Sequence, residues 1–413
     1  MVDFSKIQSD EADLTGTFFL KCGMDGASSQ SIYMQKFETT DLGSVEASSE
    51  ETLFQTAIVP LKLIVGGKAV WTNGKPNSTH FCRPLHLQYM KETVEVTKNE
   101  KEWIDTSVEN LVDFEIAISN TTKLNVKINI ECTMFDGKVV NALTDTNSTQ
   151  SCNICKAKPS EMNRLELVRS KETSEDAMKL GVSSLHSWIR TFDYLLHLGY
   201  KKNIKEYYAR TPEQKQNVSE TKKEIQKRFR EELSLVVDMP KQGFGNTNTG
   251  NVARRAFENA EVFASIVGVE EEVIIRLRTI LRALCSGYHL ETEAYKDYCL
   301  RTAEMLVENY GWYILPPTVH KLLEHSYAIA EHLELPIGSY SEEAQEAQNK
   351  ELRKARLDHS CKVSRLNVMK NQMHYMLTRT DPVISSKSFK KYRTIQGSPI
   401  DLEVQKLLRM EEV

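Results

Sequence analysis

The sequence predicts an α+β protein: a mixed sheet, then a long helical region, then a basic helical end. Three observations carry this. Strand-like runs such as TGTFFLKC (15–22) and the alternating LNVKINI (124–130) concentrate in the first 135 residues. From Glu161 to about residue 335, apolar residues recur at helical spacing instead. From Lys350 to Arg393 there are 12 Lys and Arg against 3 Asp and Glu. A solvated helix face needs no such one-sided charge, whereas a polyanionic partner explains it.

Taken in order, TGTFFLKC is the first expected strand. TAIVPLKLIV (56–65) and RPLHLQYM (83–90) follow, bounded by Gly66-Gly67 and Lys75-Pro76-Asn77. Trp103 to Ile118 has apolar residues at 104, 108, 111, 112 and 116, a helical spacing, and the strand LNVKINI comes next. Strand, strand, strand, helix, strand is the order that opens a ribonuclease-H-like sheet, and other α+β folds share it. Residues 137–160 are polar and turn-rich. In the helical region, Val273, Ile274, Leu277, Ile280, Leu281 and Leu284 form an apolar stripe opposite Arg276, Arg278 and Arg282. Pro316-Pro317 interrupts the region and suits a helix start near Val319. A further helix is expected from about Ser341 to Leu357, and SPIDLEVQKLLRMEEV reads as a loosely attached tail. The expected domains are 1–136, 137–335, 336–395 and a tail at 396–413.

Composition excludes several classes. No run approaches the ~20 apolar residues of a membrane span. The N-terminus lacks a basic segment followed by an apolar one, so no signal peptide is expected, and the triplets at Asn77, Asn120, Asn147 and Asn217 read as chance glycosylation matches. The eight cysteines are then expected reduced, and a close pair suggests metal. The net charge of −4 favours no nucleic acid by itself. A second basic stretch, Lys201 to Arg230, is interleaved with Glu and reads as a solvated helix face.

Two constellations carry chemistry. Cys152-Asn-Ile-Cys155 and, much later, His320-Lys-Leu-Leu-Glu-His325 supply two thiols and two imidazoles, enough for a tetrahedral Zn²⁺ site. Taken singly, each His is more often an ordinary helix residue. Together the four would staple the start of the helical region to its end. Among the 57 acidic residues, Asp25 and Asp136 stand out because each follows an expected strand, the first and the fourth, which are neighbours in a ribonuclease-H-like sheet. An acid from a later helix could join them to hold two Mg²⁺ ions. An Asp before Gly is by itself most often a turn residue.

The ordered motifs MDG (24–26), GKPNSTHFCRPL (74–85), FDGKVV (135–140), CNIC (152–155), SLHS (184–187), GNVARR (250–255), HKLLEH (320–325) and SEEAQEAQNK (341–350) resemble the Transib transposases and the related catalytic subunit of the V(D)J recombinase. The resemblance spans residues 24–350. It implies a DDE-type core with a helical zinc-binding insertion and a helical C-terminal region. Asp25, Asp136 and Glu346 would hold two Mg²⁺, with Mn²⁺ able to substitute, and Glu343 would stand one helical turn behind Glu346. Cys152, Cys155, His320 and His325 would hold one structural Zn²⁺, and His186 would lie near the scissile phosphate. Asn251 and Arg254 would contact the DNA backbone, as would Arg353, Lys354, Arg356, Lys362 and Arg365 of the basic end.

The implied activity is nicking at terminal inverted repeats, hairpin formation by transesterification, and strand transfer into target DNA. The implied setting is a homodimer on double-stranded DNA in the nucleus, with an accessory recombinase subunit as a further partner and no membrane. Only 24 residues precede Asp25, so the family's repeat-recognition and dimerisation segments are expected to be missing, and no RING-type Cys/His array is present. Two other readings follow: a domesticated or truncated DNA-binding protein without specific cleavage, and a zinc-stapled helical interaction module. The one-sided basic end disfavours the module.

Overall fold

A computed structural model describes residues 13–27, 52–241, 245–361, 363–388 and 400–410. The protein is mixed α+β. It divides into two compact units, Met1–Leu143 with Tyr340–Gln396, and Thr144–Ser339 with Gly397–Val413.

The first unit holds a mixed sheet of strands β1 (Asp13–Ala27), β2 (Leu53–Val65), β3 (Lys68–Thr72), β4 (Arg83–Gln88), β5 (Phe114–Ala117) and β6 (Lys123–Met134). Its order is β3-β2-β1-β6-β5, with β4 also on β2. β1 runs antiparallel to β2 and parallel to β6. β2 and β3 join through Gly66 and Gly67 at φ +55° and +77°. Positive φ at both turn positions is what a two-residue hairpin of the right twist needs. Pro60 lies in a central strand, a position that costs a ladder hydrogen bond. It sits where the β1–β2 register slips between Phe19 and Leu20, the kind of irregularity that accommodates proline.

Gly23 brings β1 and β6 together. A Cβ there would lie 2.1 Å from the Met134 carbonyl oxygen, so only glycine permits this approach next to the register shift between Cys22 and Gly23.

The helix between the strands is α1 (Val94–Glu109), capped by the Thr93 side chain, which accepts from the Val96 amide. It begins and ends earlier than the expected 103–118. The chain leaves the helix at Asn110, and Phe114–Ala117 pairs antiparallel with β6. The apolar spacing misled because it straddles two elements. Ile104 is buried, while Leu111 and Val112 are 45% and 83% exposed.

After β6 comes α2 (Gly137–Leu143), in a stretch expected to be turns. The second unit is helical: α3 (Leu165–Arg169), α4 (Glu175–Lys179), α5 (Ser184–Lys201), α6 (Pro212–Leu233), α7 (Gly250–Glu258), α8 (Ala260–Val267), α9 (Glu271–Leu284), α10 (Thr292–Tyr310), α11 (Pro317–Glu324) and α12 (Ser326–Glu331). The chain then returns to the first unit with α13 (Glu343–Asp358), α14 (Arg365–Arg379) and α15 (Pro382–Ser388). It closes in the second unit with α16 (Leu402–Gln405).

The core of the second unit is the α9 stripe, every named apolar member of which is buried, with an aromatic cluster of Phe192, Phe229, Phe257 and Phe263. The arginine side of α9 is used within the unit. Arg276 donates to Thr302 Oγ1 and the Tyr298 carbonyl, and Arg282 pairs with Asp401 at 2.5 Å. That last contact corrects the expected loose tail. In residues 400–410, Val404, Leu407 and Leu408 are buried, and Leu408 forms a β-bridge with Leu290.

Candidate functional site

The first unit gathers acidic groups at one end of its sheet. The parallel ladder pairs Cys22 with Cys132 and Gly23 with Met134. Asp25 and Asp136 each lie two residues beyond the last pair, so neighbouring strands deliver them to the same end. Asp25 is within β1, opposite Gln55 of β2, and not after the strand as expected. Asp136 Oδ1 accepts from the amides of Lys138 and Val139 at 2.9 and 2.8 Å and so starts α2.

Helix α13 completes the group. Asn349 Nδ2 donates to Asp25 Oδ2 at 2.6 Å, and Gln55 Nε2 in turn donates to Asn349 Oδ1. Gln345 Nε2 donates to the Gln55 carbonyl at 3.3 Å. These amides hold the carboxylate edge of β1 against α13. Glu346 is exposed in the first turn of α13.

The Asp25 carboxyl is pushed up to about 7. Burial is the largest cause, and the charges of Asp136, Glu92 and Glu346 add to it against the Asn349 hydrogen bond. Glu92 is itself raised by burial and by Asp136, with Lys138 Nζ at 3.1 Å opposing. Glu343 acts elsewhere: with Cys82 and Glu342 it opposes the burial that lowers the Lys21 ammonium to about 8. Lys21 Nζ donates to the Ser341 carbonyl at 2.6 Å and to Asn77 Oδ1.

Carboxylates therefore crowd around a half-buried acid. Among the described residues, though, Asp25, Asp136 and Glu346 are not drawn within 4.8 Å of one another.

The second unit does hold a group at that spacing. Ligand atoms of Cys152, Cys155, His320 and His325 all lie within 4.8 Å of one another, and all four residues are buried. A tetrahedral Zn²⁺ needs about 3.3–3.8 Å between ligands, so slight contraction closes the site. The thiols sit on a tight loop in which the Cys152 amide donates to the Ala157 carbonyl at 2.9 Å. Lys156 takes a φ of +55° there, and its ammonium is tied to the Thr144 carbonyl and Thr146 Oγ1. His320 comes from α11 and His325 from its C-terminal cap.

Cys155 Sγ lies 3.3 Å from His320 Nε2. The His325 Nε2 and His320 Nδ1 atoms are buried without a hydrogen-bond partner, a cost a metal and an outer partner would relieve. Hydrogen bonds from Cys155 and the two imidazoles hold the Cys152 thiol well below its ordinary range. The buried cluster could therefore bind a metal such as zinc.

The remaining expected residues fall as follows. His186 lies in the first turn of α5, where Ser183 Oγ is 2.8 Å from its Nδ1 and accepts from its amide. Asn251 and Arg254 are in α7, which abuts the start of α5: a Cβ on Gly250 would meet Leu185, and Arg254 lies 5.8 Å from the Trp188 ring centroid. At the basic end, Lys354 is exposed and Arg353 half-buried. Arg356 and Arg365 are 3% and 2% exposed, with Arg365 over the Tyr89 ring at 5.3 Å. Neither of these two arginines is open to solvent in this structure. Lys362 lies outside the described residues.

Asn349, Gln55, Glu92 and Lys138 were not singled out from the sequence. For Asn349 a signal existed: it lies three residues after Glu346, on the same helix face. Glu92 sits in a loop and carried none. No protein-family model matches the chain, and no characterised protein matches its sequence.

Proposed function

We propose that the first unit is a ribonuclease-H-like, DDE-type core and that the protein is a metal-dependent DNA nuclease and strand transferase of the Transib and V(D)J recombinase kind. The observation that carries this is the delivery of Asp25 and Asp136 by adjacent parallel strands to one sheet end, with Glu346 and Asn349 on the helix packed there. The β3-β2-β1-β6 order, antiparallel across β2–β1 and parallel across β1–β6, supports the sheet assignment.

In this reading Asp25, Asp136 and Glu346 would hold two Mg²⁺ ions, which when bound activate the attacking oxygen and stabilise the leaving 3′ oxygen. Asn349 orients the Asp25 carboxylate, and Gln55 fixes Asn349. Asp136 is held by the start of α2. A water oxygen attacks the scissile phosphorus and the 3′ oxygen leaves. That 3′ hydroxyl then attacks a phosphorus of the opposite strand, whose own 3′ oxygen leaves and takes up the proton, closing a hairpin; the 3′ hydroxyl so released attacks a phosphorus of target DNA and displaces a 3′ oxygen there. Lys354, Arg353 and the α5–α7 start bearing His186, Asn251 and Arg254 bind phosphates. The Cys₂His₂ cluster holds one Zn²⁺ and closes the helical unit. Repeat-bearing duplex DNA, a second copy of the chain and a nuclear location belong to the same reading.

The test is nicking of supercoiled and repeat-containing DNA in Mg²⁺ or Mn²⁺, beside Glu346→Gln and Asp25→Asn. Loss of nicking in both variants is expected. Nicks that are absent, or equal in wild type and variants, overturn the catalytic reading.

A further inference from the structure

We propose that the first unit also carries a seat for one nucleotide of single-stranded DNA, built from two adjoining cavities that the proposed catalysis does not use. The inference rests on the reading that DNA is the partner. One cavity, of about 430 Å³, is lined by His80, His359, His374, Tyr375 and Arg379, with Ile384 as an apolar member, and no carboxylate lines it. The other, of about 650 Å³, is aromatic and apolar, with Phe18, Trp71, Phe81 and Phe114 on its walls. His80 and Ser385 line both. Each volume lies in the range of small-ligand sites.

The two chemistries are those of a nucleotide. Arg379 brings its guanidinium to the first cavity. It is held by Glu351 at 3.4 Å and lies 3.4 Å from His80 Nε2, while its Nε is buried without a hydrogen-bond partner. His374 is exposed beside it. Arg379, oriented by its ion pair with Glu351, and the imidazoles give the first cavity the hydrogen-bond donors that a phosphodiester takes. In the second cavity the Phe18 and Trp71 rings stand with centroids 6.0 Å apart and planes 58° from parallel, so that a base stacks on one of the two rings, taken here as Trp71. Its one acid, Asp381, is already engaged, accepting from the Val383 and Ile384 amides at 2.9 Å each. A paired duplex does not offer a base to such a cleft, so a single strand is the fitting occupant.

Fluorescence anisotropy tests this with labelled oligothymidylate, an abasic strand of equal length, a duplex, and inorganic phosphate as competitor. Arg379→Ala and His374→Ala should weaken both single strands. Phosphate should compete in wild type and lose that effect in Arg379→Ala. Trp71→Ala should weaken oligothymidylate about five-fold or more, leave the abasic strand unchanged, and be rescued by Trp71→Phe. Should Trp71→Ala fail to fold, Phe81→Ala replaces it.

Equal weakening of thymidylate and abasic strands by Trp71→Ala, unchanged binding in all variants, or a duplex with the same Trp71 dependence overturns the proposal. Absence of strand binding does so too, in favour of an apolar peptide in the cleft. Nicking that fails while these strand effects hold removes the catalytic reading and leaves the seat standing.

Discussion

Asp25→Asn should make the cation-free protein more stable at alkaline pH, although it removes a residue assigned to the active centre. The carboxyl is raised from 3.8 to about 7, so the folded protein binds this proton more tightly than the unfolded chain does. The stabilisation from the protonated acid is complete below the unfolded value and is lost as pH rises through about 7. Three units at 1.36 kcal/mol each give an upper bound of about 4 kcal/mol at pH ~8. Asparagine has nearly the same shape and can still accept from Asn349, so a gain of about 1–4 kcal/mol is expected there. The gain should shrink toward pH ~4. Millimolar Mg²⁺ should also narrow it, because a ligand that binds only the wild-type fold stabilises that fold. Urea unfolding of zinc-loaded protein at both pH values, with and without Mg²⁺, measures this. A variant no more stable than wild type at alkaline pH would refute the electrostatic argument. A gain indifferent to Mg²⁺ would refute the divalent site.

Three further outcomes are expected. Asn349→Ala removes a charge-assisted hydrogen bond of about 1.5–3 kcal/mol, so the acid limb of the nicking pH profile should move up by about one to two units; an unmoved limb would show that Asn349 does not position Asp25. Cys155→Ser and His325→Ala should each cost one equivalent of zinc and lower Tm, read by metal analysis beside calorimetry, and a variant with unchanged zinc removes that residue from the ligand set. Leu407→Ala with Leu408→Ala should destabilise the second unit by about 2–5 kcal/mol per site, whereas an unchanged Tm would mean that residues 400–410 are not docked.

The balance between sequence and structure is clearest at particular residues. The α9 stripe was legible because a helix that buries one face must repeat its apolar residues at helical spacing, and all six landed in the core. The spacing at 103–118 failed because a run that crosses a turn can mimic one period while serving a helix and a strand. The charge at the basic end was legible, but its use was not: Arg356 and Arg365 look like Lys354 in sequence, and only packing shows that two are buried and one exposed.

By itself the sequence determined which side chains are available: two thiols and two imidazoles of zinc type, aspartates at the ends of strand-like runs, and an acid with an amide one turn later on a helix. Composition and local periodicity carry that information because they depend on near neighbours. The tertiary structure decided what meets. It set Cys155 against His320 across 165 residues, and it aimed Asn349 at Asp25 across 324. It also let the charge of Glu346 reach Asp25 and that of Glu343 reach Lys21, a difference that sequence spacing does not show because both lie on nearly the same helix face. Contacts of that range are fixed by strand register and helix docking, which no local pattern encodes.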